Sequence, residues 1–130
     1  MDAQSSKIPG PDHPIEIHEH PNRVVVKVAD KIVADTQRAL ALREAAYPTV
    51  LYFPREDVDM SLLERTDHSS YCPYKGDANY YSIPAGGTRS VNAVWTYEAP
   101  RASVAQIKGY LAFYRDRIDT ITEHPITQKE

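Results

Sequence analysis

The sequence is poor in cysteine and in phenylalanine, carries no basic excess, and has no long apolar run. One cysteine, Cys72, among 130 residues excludes an intramolecular disulfide and a four-cysteine zinc site. Fifteen Lys and Arg stand against eighteen Asp and Glu, a formal net charge of −3. That balance argues against a protein that grips a phosphate backbone, which needs basic residues in excess on one face. No apolar stretch approaches the ~20 residues of a spanning helix. Met1 to Asp12 hold no apolar segment of the signal-peptide kind. The expectation is a protein without membrane contact, located in the cytoplasm.

What is present suits one globular domain. The chain is 42% hydrophobic and 25% charged, close to the average for folded proteins. At this length it can bury roughly two-thirds of the surface of its unfolded form. Tyrosine outnumbers phenylalanine nine to two, and there are ten prolines. Tyrosine favours half-buried pleated surfaces and proline interrupts them, so both point to short strands and turns.

Residues 1–14 are polar and proline-rich and are expected to form a mobile N-terminal arm. Ile15 and Ile17 alternate with Glu16 and His18, the period of a short edge strand. Arg23 to Val28 is a β-branched strand, Ala29-Asp30-Lys31 a hairpin turn, and Ile32 to Ala34 the returning strand. Gln37 to Ala46 is rich in helix formers, yet Leu40 and Leu42 stand two apart; a strand is the reading adopted. Thr49 to Phe53 is a strand stopped by Pro54. Asp59 to Glu64 reads as one helical turn capped by Asp59. Thr66 to Gly76 reads as a polar loop, Asn79 to Ile83 as a strand, Ala85 to Thr88 as a turn and Ser90 to Tyr97 as a strand. Arg101 to Lys108 is the second helix, ended by Gly109, and Tyr110 to Asp119 is read as a strand. Residues 123–130 form a polar tail. The sum is a mainly β single domain over 15–122, of six to eight strands and two short helices, as a small barrel-like or two-layer fold.

Several stretches carry a family resemblance: Val33-Ala34-Asp35-Thr36, Tyr52 to Val58, Thr66 to Ala78, Ala93 to Tyr97 and Ile107 to Tyr114. On these the chain resembles, from about His13 to Asp119, a widespread bacterial family catalogued as domain of unknown function 427. The resemblance implies a compact β-rich domain and leaves the activity open. The family also carries a nucleotidyltransferase label. Two-metal phosphoryl chemistry needs carboxylates converging on two cations about 4 Å apart, and Asp57 and Asp59 have the spacing for two ligands on one strand face. The Gly-Ser helix start that accompanies such a pair is absent; Leu51 to Glu56 stand there instead.

Three functional classes follow. The first is a domain that binds a small polar, anionic ligand through Arg55, Lys75, Tyr52, Tyr74 and His68, with Asp57 orienting Arg55 or Lys75. An arginine at a strand end can hold a carboxylate or phosphate with two hydrogen bonds, and the expected pocket is formed by the loops carrying Arg55 and Lys75 together. The bland alternative is an Arg55–Asp pair tying two loops. The second is an enzyme with Cys72 as an activated thiol: Pro73 and Gly76 would hold Cys72, Tyr74 and Lys75 in fixed directions, and a cation from Lys75 or His68 would favour the thiolate. The alternative is a small buried thiol with Lys75 in a salt bridge. The third is a protein-interaction module or homodimer using a tyrosine-rich surface. His18 and His20 share a strand face and could begin a metal pair. No third ligand is visible, and two solvated histidines is the plainer reading; no metal site is assigned and the cofactor is left unknown. Trp95, Tyr97, Tyr110 and Tyr114 could stack on a ligand, but the plainer reading is core and half-buried face, because their spacing is that of strands.

Overall fold

A computed structural model describes residues 6–126. Among them are ten strands, β1 (Ile15–Glu19), β2 (Asn22–Val28), β3 (Lys31–Thr36), β4 (Leu40–Glu44), β5 (Val50–Tyr52), β6 (Glu64–Cys72), β7 (Gly76–Ser82), β8 (Val94–Thr96), β9 (Leu111–Phe113) and β10 (Thr120–Pro125). The fold is mainly β and forms one small domain, as the sequence predicts, with no closed barrel. No helix among the described residues is long and apolar enough to cross a membrane.

The strands form three antiparallel sheets, ordered β1-β4-β5, β10-β2-β3 and β6-β7-β8-β9. The first and last meet at one bridge. The Phe53 N–H donates to the Leu111 carbonyl at 2.7 Å, and the Leu111 N–H donates back at 2.9 Å. Seven strands therefore run as one array, β1-β4-β5-β9-β8-β7-β6. The β10-β2-β3 sheet packs on one of its faces. Val24, Val26, Val28 and Val33 meet Leu51, Phe53, Tyr81, Val94, Leu111 and Phe113 there. The other face holds a second core of Leu40, Leu42, Tyr52, Ala78, Tyr80, Tyr97 and Ala112, closed by Val104 and Ile107.

Local chemistry explains most elements. The β2–β3 hairpin turns at Ala29 and Asp30, both with positive φ (51° and 64°), the geometry that matches the right-handed twist of the flanking strands. The Gln37–Ala46 stretch is a strand at Leu40–Glu44 despite its helix formers. Pairing on both sides, to β1 and β5, together with the burial of Leu40 and Leu42, outweighs a weak propensity. Both expected helical turns are present as 3₁₀ helices, Met60–Leu62 and Ala102–Ile107, and Asp59 caps the first by accepting from the Ser61 N–H.

Elsewhere the structure differs from the expectation. Thr66 to Cys72 is not a loop but part of β6. It is an edge strand whose exposed sides need no apolar alternation, so its periodicity is silent. The strand expected over Ser90–Tyr97 shrinks to Val94–Thr96, because Pro84–Ser90 winds as a 3₁₀ helix and Asn92 turns the chain at φ 53°. Tyr110 to Asp119 divides into β9 and a 3₁₀ turn at Arg115–Arg117. Glu123 to Pro125 are not a tail but the end of β10, paired to Asn22–Val24. Of the expected N-terminal arm, residues 1–5 lie outside the described residues. Beyond them the Lys7 N–H donates to the Pro73 carbonyl (2.9 Å), and Gly10 bridges His13.

Candidate functional site

Period-two alternation puts one set of side chains from every strand of the long array on the same face. On β4 these are Leu40, Leu42 and Glu44; on β5, Val50 and Tyr52. The registers Leu42↔Val50, Tyr80↔Trp95 and Trp95↔Ala112 align them with Tyr80, Trp95, Tyr97 and Tyr114. The two phenylalanines fall on the opposite, dry face, where Phe53 and Phe113 meet edge to face at 5.2 Å. The excess of tyrosine thus has a location: most of it lines a face where a hydroxyl finds water or a polar partner.

That face holds a cleft of about 200 Å³ lined by Glu44, Tyr47, Tyr52, Lys75, Tyr80, Trp95, Tyr97 and Tyr114, with Leu42, Pro48 and Val50. The Trp95 indole N–H donates to the Tyr52 hydroxyl at 3.3 Å, and the two rings meet edge to face. Trp95 also packs on Tyr114 at 4.6 Å. The Tyr80 hydroxyl bonds Ser70 at 2.8 Å.

The charged wall of the cleft is built from distant parts of the chain. The Lys75 ammonium donates to Glu44 Oε1, and His13 Nε2 lies 2.8 Å from Glu44 Oε2. His13 in turn stacks on Tyr74 at 3.9 Å, nearly parallel. Lys75 is only 7% exposed. Its turn is locked, since its N–H donates to the Cys72 carbonyl and its carbonyl accepts from the Arg101 N–H. Gly76, at φ 107°, occupies the conformation the sequence predicts for it. Burial pushes the Glu44 carboxyl up, but the hydrogen bonds from Lys75 and His13 outweigh it and hold the group below the ordinary carboxylate range.

Tyr97 completes the wall. It is 6% exposed, its ring lies 5.9 Å from the Lys75 nitrogen, and it lines the cleft. Burial drives its pKa well above that of free tyrosine, aided by the neighbouring Tyr52 and Cys72. Burial does the same to Tyr52. In Tyr114, burial and a hydrogen bond with Tyr80 push the pKa up to about 12.

The residues expected from sequence divide between the two faces. Tyr52 and Lys75 line the cleft, and Tyr74 supports it from behind His13. Arg55 does not join them. Its guanidinium donates to the Tyr81 hydroxyl at 2.8 Å, and Tyr81 belongs to the opposite face. The expected single pocket formed by the Arg55 and Lys75 loops is therefore not built. Asp57 orients neither; it accepts from the Thr36 hydroxyl (2.7 Å) and from Arg38 (3.2 Å). Asp59 is occupied by Ser61. Cys72 is half-buried beside the tyrosine cluster. His68 lies four residues earlier on the same strand and packs on Tyr80. With the Lys75 ammonium on Glu44, neither expected activator of the thiol is in place. His18 pairs with Glu16, and His20 with Glu123, so the two imidazoles address different partners. No group of three or more His, Cys, Asp or Glu side chains among the described residues could hold a metal ion.

Sequence reasoning missed Glu44, His13, Tyr80 and the Tyr97 hydroxyl. One signal was available: Glu44 continues the Leu40-x-Leu42 alternation, and a carboxylate in a buried register needs a partner. Over residues 16–124 the sequence matches the model of a family described as Domain of unknown function (DUF427). No curated protein matches it.

Proposed function

The chain belongs to the DUF427 family, and we propose that it binds a small organic anion in the aromatic cleft. The observation that carries this reading is the nearly buried Lys75–Glu44 pair in the wall of an aromatic cleft that Tyr97 also lines. A buried ion pair is seldom more stabilising than well-packed apolar residues. A ligand carboxylate or phosphate gives the pair a use. The ammonium carries three donor hydrogens and Glu44 accepts from it through one oxygen, so donors are left for a second acceptor. The Tyr97 O–H supplies another. Trp95 and Tyr114 offer faces for a flat or apolar ligand body. Tyr52, Lys75 and Tyr97 are the proposed polar contacts, with Glu44 and His13 holding Lys75 in place. Binding needs no activated nucleophile, in keeping with the separation of Cys72 from His68.

The test is a thermal-shift panel of carboxylates, sugar phosphates, nucleotides with and without magnesium, and quaternary amines. A ligand that binds only the folded chain stabilises it by mass action, about 2.7 kcal/mol at a free concentration one hundred times Kd. The expected result is a saturable rise in Tm with an anion, reduced in Tyr97→Phe and unchanged in Arg55→Ala. Stabilisation by quaternary amines alone, or by no member of the panel, overturns the reading.

A further inference from the structure

The two halves of the long array are joined by the Phe53↔Leu111 bridge alone. The ladder does not continue beyond it: neither Tyr52 and Ala112 nor Leu51 and Phe113, which would face each other next, form a pair. At this open seam lies a slot of about 310 Å³. It is lined by Leu51 on β5, Phe53 just after it and Phe113 on β9, with Ile121 from β10 and Arg115. The slot adjoins the polar cleft along Pro48, Val50, Trp95 and Tyr114, which line both. An apolar slot of this size beside a charged wall is an arrangement suited to an amphipathic small molecule.

We infer that the open seam is a second subsite, and that the ligand is a carboxylate with a hydrocarbon or aryl-alkyl tail, its acid end at Lys75 and Tyr97 and its tail between β5 and β9. The inference rests on the proposed anion-binding reading and adds the tail. Trp95 and Tyr114 form the saddle over which the ligand passes. Burying a tail in the slot removes apolar surface from water, and the gain accrues for every methylene that fits.

Calorimetric titration of the full chain with straight-chain carboxylates from acetate to decanoate, and with the matching alcohols, tests it. Affinity is expected to rise roughly fourfold per methylene and to level off once the slot is full. Ile121→Phe, which fills the slot, should flatten that rise and leave the shortest acids unaffected. Should Ile121→Phe melt early, Thr49→Phe, at an exposed position on the rim of the slot, serves the same purpose. Tyr97→Phe should weaken all acids by a similar factor. Acids that bind in a Tyr97-dependent manner with no dependence on chain length overturn the slot and leave the anion reading standing. Alcohols that bind as well as acids, indifferent to Tyr97→Phe, overturn the anion reading and the orientation that depends on it. No binding by either series overturns both.

Discussion

Lys75 and Glu44, thirty-one positions apart, meet in a nearly buried ion pair that fastens the β6–β7 turn to the end of β4. The pair links parts of the array that the strand order keeps apart, since β5, β9 and β8 stand between β4 and β7. It also fixes the charged wall of the cleft.

Breaking that pair from one side is expected to be costly. Lys75→Met leaves Glu44 without its ammonium partner, and the expected loss is about 3 kcal/mol. Lys75→Met combined with Glu44→Leu should recover most of it, since no uncompensated charge stays behind. Urea midpoints of the wild type, both single variants and the double variant measure the coupling.

Acid should weaken the fold partly through Glu44. Its folded-state pKa lies below the ordinary 4.5, so the folded form binds fewer protons than the unfolded form. The contribution is complete above about pH 4.5 and is lost as pH falls through the lowered value. Asp35, held down chiefly by its hydrogen bond to Arg23, acts in the same sense. Equilibrium unfolding as a function of pH should show a shallower acid limb in Glu44→Gln than in the wild type.

The alkaline side has the opposite sign. Tyr52, Tyr97 and Tyr114 all have raised pKa values, with burial the largest cause. The folded form keeps protons that the unfolded form releases near pH 10, so stability is full below pH 10 and falls above it. Spectrophotometric titration should find these among the late-ionising tyrosines, with their release coinciding with unfolding. Tyr97→Phe should remove one late tyrosinate.

Arg55→Ala separates the two faces. It removes a hydrogen bond and a stacking contact to Tyr81 at a solvent-exposed position, and the expected loss is about 1 kcal/mol or less. Ligand affinity in the cleft should be unchanged. A clear loss of binding in this variant would show that the Arg55 face takes part after all.

Gly86→Ala tests the packing behind the β2–β3 sheet. A Cβ at Gly86 would collide with Ser90 Oγ and lie 2.7 Å from Ser90 Cβ and 3.0 Å from Val28 Cγ1. Ser90 cannot yield freely, because its hydroxyl donates to the Arg117 carbonyl at 2.7 Å. Overpacking of this kind costs about 1–3 kcal/mol, readable as a lowered Tm.

Much of the fold was legible from local pattern. Ile15 and Ile17, the valines of β2 and the Leu40-x-Leu42 spacing each announce a strand because a half-buried strand must alternate. Ala29-Asp30 announces a turn by its place between two such runs. Gly76 was legible for the same local reason, as a turn residue. β6 was not, because an edge strand wet on its exposed sides has no apolar period to read. The cleft was only partly legible. Lys75 and Tyr52 were named from sequence, but Arg55 and Asp57 were grouped with them on nearness to a strand end. Strand ends can present side chains to either side of a sheet.

By itself the sequence determined what depends on neighbouring residues: the strands, the hairpin, the glycine turn and the family to which the chain belongs. Alternation states which residues of one strand share a face. It does not state which strands lie side by side, how far the array curls, or where a ladder stops. Those follow from pairings between segments far apart in the chain, and they decide that Glu44 meets Lys75, that Tyr97 opens into the same cleft, and that Arg55 turns away to Tyr81.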